Sequence, residues 1–516
     1  MPETRPPART TRLFLALVVL AALALHARAI GFGFSYLDDD ALILEQQATL
    51  TEPSAVWRAF SRPYFPTLPT LPSSGRDHAY YRPLVTASFA LDAAWSGSHP
   101  RGYHVTNVLL AALGAGLLFR LLLSFGYGPG VALFGGLVYA VHPALTETVA
   151  WIPGRNDSLL VVFALAAWLL LKRALPPRRW ASRLAHLLAW LAALLCKETA
   201  LVLPLVYAGH LVLIERRPLR SIAAPWLLAG WGGVLALYLV ARALVLPDQL
   251  GAAGVTAGGF ASSASLLVSS LGKLVLPVHL SVMATPEDSR LWPGIVAACA
   301  LAALAFVPGV RRRHVVFALA CFVAFVLPGA PASRLLALES RLALPAIAIV
   351  LIACEVADRV AWPPRTGAER LAAGAVLTAA LAAVTFSYAG NFRDRLAFAQ
   401  AAVSGAPHSA LAHRNLGVAY HLAGQTALAR QEYEAAVAED AGEPIVHNNL
   451  AVILMAEGRL PEAEQQLRAE LAVNPKYAVA HDNLARVLGA LGRPQEAELE
   501  QATAAKLRRD GEGGGR

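Results

Sequence analysis

Charge is scarce in this chain: Asp, Glu, Lys and Arg make up 15% of its 516 residues, against 56% apolar ones, and the mean hydropathy is +0.50. A soluble globular enzyme carries about a quarter charged residues, so that class is excluded. A disordered chain is excluded too, because it lacks apolar sequence to bury. Cysteine is scarcer still. The four cysteines, Cys196, Cys299, Cys321 and Cys354, all lie inside apolar runs, which rules out a disulfide framework outside the membrane and leaves them as packing residues. Lysine supplies only five of the 44 cations, while Ala and Leu dominate. That bias points to a GC-rich bacterial genome. The formal charge of +9 does not imply nucleic acid: residues 1–390 carry 31 cations against 19 anions, and the remainder 13 against 16. The basic excess belongs to the apolar part, where cationic loops set membrane orientation.

What is abundant is apolar sequence of spanning length, about 17 to 25 residues in a helix. Such stretches fall at roughly 13–30, 103–123, 131–151, 157–174, 181–197, 198–214, 221–244, 292–308, 315–330, 341–359 and 369–389, which predicts about eleven spans. The first also reads as a cleaved signal peptide, since Arg5, Arg9 and Arg12 precede a short apolar core and Ala27-Arg28-Ala29 resembles a processing site. With a cytoplasmic N-terminus, the inner connections collect Arg120, Lys172, Arg173, Arg216, Arg217 and Arg311 to Arg313. Segment 264–283 is apolar enough to cross, but crossing would place Arg311 to Arg313 outside. It therefore reads as a re-entrant or interfacial helix, in keeping with its serines and Lys273. The C-terminal domain is then extracytoplasmic, in the periplasm of a bacterial inner membrane, or in the lumen of the endoplasmic reticulum in a eukaryote.

From about Ala410 a 34-residue period replaces the apolar runs. His413, His447 and His481 recur in register, as do Asn415, Asn449 and Asn483, and Leu416, Leu450 and Leu484; Gly424, Gly458 and Gly492 mark turns, and Ala429, Ala463 and Ala497 mark helix contacts. This is the tetratricopeptide pattern, and it predicts three stacked helix pairs at 410–443, 444–477 and 478–509, with a concave groove. A linker helix at 391–409 precedes them and a disordered tail follows at 510–516. The fold class is all-α: a polytopic membrane bundle over 1–390 followed by an α-solenoid. Asn415, Asn449 and Asn483 sit on the groove-lining helices, where amides carrying both donor and acceptor can hold an extended acceptor peptide by its backbone. Alternatively they are consensus residues. The histidines, 34 positions apart on separate repeats, read as packing residues rather than metal ligands.

Ionisable residues gather at the outer face. The long first outer loop, 31–102, opens with Asp38, Asp39 and Asp40. Three adjacent carboxylates repel one another, so one should have a raised pKa or a cation partner; the triplet can serve as a general base, hold a divalent metal, or cap a helix. Arg82 follows Tyr80 and Tyr81. His142 and Glu147 lie in the outer half of the third span, with Arg155 and Asp157 in the next turn. Lys197 and Glu198 occupy another outer turn, Arg242 ends the seventh span, and Glu339 with Arg341 opens the tenth. Ionisable groups near hydrocarbon are costly and are paired or functional. A shared polar cavity accounts for them; helix-orienting ion pairs are the alternative.

The pieces Asp38-Asp39, Tyr81-Arg82-Pro83-Leu84, Gly102-Tyr103-His104 with Thr106-Asn107, His142-Pro143 through Glu147 to Trp151, Gly154-Arg155 and Asp157, Lys197-Glu198-Thr199, and Leu344-Pro345 with terminal repeats resemble the transmembrane and tetratricopeptide-repeat O-mannosyltransferases and their bacterial relatives, which are GT-C-type glycosyltransferases. One departure is visible: the family often reads Glu-Arg-Tyr before the Leu-Pro of the tenth span, and here Glu339 is followed by Ser340 and Arg341. The resemblance implies inverting transfer of a sugar, mannose, from a polyprenyl-phosphate carrier in the lipid to Ser or Thr hydroxyls of a protein. Asp38 or Asp39 would be the base, and Glu147 would orient the sugar or pair with Arg155. Arg82, Arg155, Lys197 and Arg242 would meet the phosphate, with His142, Asp157, Glu198 and Glu339 completing the donor site. The lipid-linked sugar is a co-substrate, and a divalent metal on Asp38 to Asp40 is an option. The rival readings are a non-catalytic membrane scaffold and a lipid-linked glycan ligase or flippase.

Overall fold

A computed structural model describes residues 8–35, 37–65, 80–175, 179–218, 220, 224–247, 258–285, 288–329, 338–359 and 367–513. Every regular element among them is a helix. They form two units, divided between Asp394 and Arg395.

In the first unit six helices are long and apolar enough to cross a membrane: Arg9–Gly31, Pro100–Ser124, Pro225–Val245, Arg312–Gly329, Glu339–Arg359 and Ala368–Phe392. The chain is an integral membrane protein. A seventh span is broken. The helix Pro129–Ala140 stops at Val141 and resumes at Pro143 with a 54° bend, because proline has no N–H to continue the ladder and its ring crowds the preceding turn. The other stretches read as spans are also helical but do not meet the same test. Arg155–Ala174 carries charges at both ends, and Trp180–Leu194, Glu198–Ile214 and Trp292–Phe306 are short. Segment 264–283 is helical only to Val275; that helix, Gly258–Val275, lies along Trp292–Ala303. Two glycines permit the approach, since a Cβ on Gly294 would collide with the Val268 carbonyl and one on Gly272 with the Gly294 backbone.

Helix entries follow a common device. Pro83, Pro100, Pro129 and Pro225 each stand in a first helical turn, where a missing N–H costs nothing. Ala8–His26 packs on Pro100–Ser124, which packs on Arg155–Ala174. Gly135 lets its helix close on Cys354 of the Ala343–Arg359 helix, so this cysteine is a buried packing residue.

The second unit begins with Arg395–Gly405, whose Ala399 packs against Leu416 and Ala419. Helix pairs follow: Ala410–Leu422 with Thr426–Glu439, Val446–Ala456 with Leu460–Val473, and Ala478–Ala490 with Pro494–Gly513. Gly424, Gly458 and Gly492 turn each pair at φ +74°, +76° and +77°, a left-handed conformation that glycine adopts without a Cβ penalty. Each register histidine ties its pair together: His413 contacts Glu432 at 2.7 Å and the Pro407 carbonyl at 3.0 Å, and His447 and His481 repeat the pattern with Gln466 and Glu500. The final helix continues to Gly513, past Asp510, where the tail was expected to lose structure; 514–516 lie outside the described residues.

Candidate functional site

Asp38 follows the first span in a short bend. Burial raises its carboxyl to about 7, the neighbouring Asp39 adds to the rise, and Arg82 and Arg341 oppose it. The three aspartates diverge in role. Asp39 Oδ2 accepts the Ser35 N–H at 2.8 Å and the Ser35 hydroxyl at 2.7 Å, a local loop-closing motif. Asp40 begins the one-turn helix Asp40–Leu44. Among the described residues no three His, Cys, Asp or Glu side chains are grouped to hold a metal.

Arg82, just before the Pro83–Ser96 helix, lies in electrostatic reach of Asp38. Its guanidinium donates to Glu198 Oε2 at 3.0 and 3.2 Å and stacks over the rings of Tyr80 at 4.2 Å and Tyr64 at 5.3 Å. Beside it, Lys197 Nζ donates to Asp157 at 2.5 Å. Arg341 lies in electrostatic reach of Asp157, Tyr80, Arg82 and Glu147, and Tyr238 in reach of Glu198, Arg242 and Arg82. Asp38, Arg82, Asp157, Lys197, Glu198 and Arg341 thus share one polar region, drawn from five segments of sequence, and Arg242 is linked to it only through Tyr238.

Arg155 is elsewhere engaged. It is fully buried and each of its nitrogens has a partner: Asp92 at 2.5 Å, Asn107 Oδ1 at 2.7 Å, the Tyr103 carbonyl at 2.7 Å and Ser88 Oγ at 3.3 Å. Thr106 donates to the other Asp92 oxygen at 2.6 Å, and the Asn107 amide donates to the Trp151 carbonyl at 3.2 Å. This network clamps the turn from Trp151 to Arg155 onto two other helices. Glu147 is not among the partners of Arg155. Asp92 is not among the residues expected from the sequence, although it is the one acid in the apolar Pro83–Ser96 helix, a signal of the same kind as that of Glu147.

Glu147 and Glu339 meet in a second buried group. Glu147 Oε2 accepts the Ser340 N–H at 2.9 Å. Glu339 accepts the Ser281 N–H at 2.8 Å and the Tyr388 hydroxyl at 3.0 Å, and lies 3.1 Å from Lys273 Nζ. Glu339 therefore joins three segments, fixing the backbone that carries Arg341. Sequence reading placed Lys273 only as an interfacial residue. His142 serves the break in its span: Nδ1 accepts the Ala144 N–H at 3.2 Å and Nε2 donates to the Leu274 carbonyl at 3.0 Å, leaving no nitrogen for a donor sugar.

In the repeat unit the three asparagines are not equivalent. Asn483 is buried, takes up Asn448 Oδ1 at 2.8 Å through its amide, and accepts from Arg486. Asn415 and Asn449 are half-buried. Asn448, one residue from the expected position, carries the contact between repeats.

No protein-family model matches the chain. Curated relatives do. It is 37% identical over 183 residues to protein O-mannosyl-transferase Tmtc1 of Drosophila melanogaster, covering 35% of this chain and 20% of that protein. It is 30% identical over 281 residues to the Drosophila Tmtc2, covering 52% and 29%, and 32% identical over 289 residues to the Mus musculus TMTC2, covering 51% and 33%. The chain spans a fifth to a third of the length of these relatives.

Proposed function

We propose that this TMTC-like chain is a membrane glycosyltransferase that moves a sugar, mannose, from a polyprenyl-phosphate carrier to Ser or Thr hydroxyls of an extracytoplasmic protein. The observation that carries the reading is Asp38: a carboxyl held near 7 just after a span, in electrostatic reach of Arg82 and Arg341. A general base works best when its pKa lies near the working pH. At neutral pH about half of Asp38 is ionised, and it regains the proton it needs to lose without a large penalty.

The acceptor hydroxyl gives its proton to Asp38 while its oxygen attacks the anomeric carbon, and the carrier phosphate departs from the opposite face with the bonding electrons. Inversion follows. The departing phosphate gains charge, which Arg82, Lys197, Arg242 and Arg341 are charged to meet. Asp157 and Glu198 keep Lys197 and Arg82 in place before the donor arrives. Glu147 and Glu339 act behind this wall, through Ser340 and Arg341. Asn415 and Asn449, half-buried where Asn483 is buried, are the two we assign to an acceptor backbone, which would exchange with the bonds they accept from Arg414 and Asn448. The compartment we assign is the periplasm, on the inner membrane of a bacterium, in line with the cation bias of the sequence.

The test incubates purified chain with several labelled polyprenyl-phosphate sugars and a Ser/Thr peptide library. Label on peptide, lost in Asp38→Asn, supports the reading. No transfer from any donor, or label on a lipid-linked glycan instead, overturns it.

A further inference from the structure

The opposite end of the bundle carries a different charge pattern. There the carboxylates are already committed. Glu355 accepts the Arg311 N–H at 2.8 Å, its guanidinium at 2.6 Å and the Tyr127 hydroxyl at 3.2 Å. Asp358 pairs with Arg359 at 2.8 Å. Glu215 takes Lys172 at 3.1 Å, Arg217 at 2.8 Å and His210 at 3.3 Å, and Lys172 also donates to the Ser124 carbonyl. These bonds link the ends of five helical segments into one surface, sealed beneath by Phe125, Trp168 and Phe317 around His210.

Cations remain after this pairing. Arg120, Arg173, Arg216, Arg312 and Arg313 are exposed and form no ion pair with a described residue. Two features set their depth and their cost. Trp180 is 73% exposed at the start of its helix, and Arg183 lies 4.6 Å over Trp226 at the start of another; exposed tryptophan next to arginine marks the headgroup level of a bilayer. Arg216 holds φ at +53°, a left-handed backbone that a non-glycine residue adopts at a steric cost. It closes the end of the preceding helix, where the Arg217 N–H donates to the Leu211 carbonyl at 2.9 Å.

We propose that this end of the bundle is a binding site for anionic phospholipid headgroups, with the guanidinium groups of Arg216, Arg312 and Arg313 as its phosphate ligands. Guanidinium is suited to the task because its planar fork meets two phosphate oxygens at once. The site neutralises cations that the protein's own carboxylates leave over, and it holds the inner ends of the helices at the lipid surface. It is separate from the Asp38 region, and stands whether or not the glycosyltransferase reading does.

The test reconstitutes the full chain in nanodiscs of phosphatidylcholine with or without phosphatidylglycerol, then measures by native mass spectrometry which lipids stay bound after release. Wild type is expected to retain phosphatidylglycerol preferentially, with about a fivefold loss of preference for each arginine changed to glutamine. Arg312→Lys with Arg313→Lys should keep most of the preference, and melting curves identify any variant that fails to fold. Equal retention of both lipids by wild type, or unchanged preference in Arg216→Gln/Arg312→Gln/Arg313→Gln, overturns the proposal. So does an equal rise in melting temperature from inorganic phosphate alone, which would make the site one for free anions.

Discussion

Two clusters of arginine and carboxylate stand near each other in the bundle and obey different rules. Around Arg155 each nitrogen has a partner, in Asp92, Asn107, Ser88 or a backbone carbonyl, and nothing is exposed. Around Arg82 the charges are shared among Glu198, aromatic faces and the field of Asp38, whose carboxyl is left near 7. The first arrangement is a strut, since each nitrogen is already held inside the protein. The second keeps electrostatic tension, which is what a reacting group needs. Residue type alone does not separate them.

The largest expected effect tests the reactive side. Asp38→Asn should cut sugar transfer by about 10²–10⁴-fold, the contribution of a general base, in a chain that still folds. Its stability should change in a definite direction. A carboxyl raised from 3.8 to about 7 in the folded state contributes stability that is complete below pH 4 and lost as pH rises through 7. Asp38→Asn should therefore melt at a higher temperature than wild type above pH 7, and a lower melting temperature there would contradict the assignment.

Next comes the strut. Arg155→Leu leaves Asp92 buried without its partner and should cost about 3–5 kcal/mol, read as loss of folded protein in detergent. Arg155→Leu with Asp92→Leu should recover much of that loss. If the single change instead left folding intact and only raised the donor KM, the two clusters would be one site.

Smaller effects belong to the repeat unit. Asn449→Ala should weaken binding of an acceptor peptide about fivefold to tenfold, the cost of one hydrogen bond, measured by calorimetry. Asn483→Ala should act mainly through stability, because its amide is taken by Asn448 and Arg486. Smallest of all, Gly458→Ala at φ +76° should cost about 1 kcal/mol by urea unfolding.

What could be read in advance follows from range. Short-range rules are written locally: the glycines of the 34-residue period fall at the left-handed turns, and the prolines fall at helix starts and at the broken span. That ionisable residues are rare and grouped in the apolar unit was also legible, from their scarcity against the apolar runs. Partners were not. Asp92 and Arg155 are 63 positions apart and Lys273 and Glu339 are 66 apart, and only the packed bundle joins them. For that reason Arg155 and His142 read as ligands and proved to be engaged within the protein. Arg341 gained its place beside Asp38 from Glu339, whose contacts come from three segments that no local pattern connects.

The central claim is that Asp38 takes the proton in the transfer step, and its most direct test is the pH dependence of single-turnover transfer from a labelled polyprenyl-phosphate sugar to a serine peptide. The rate is expected to climb with pH and reach half its plateau near 7, and Asp38→Asn is expected to show only a low, flat background. A variant that kept the same rise at the same pH would place the base on another residue and contradict the account.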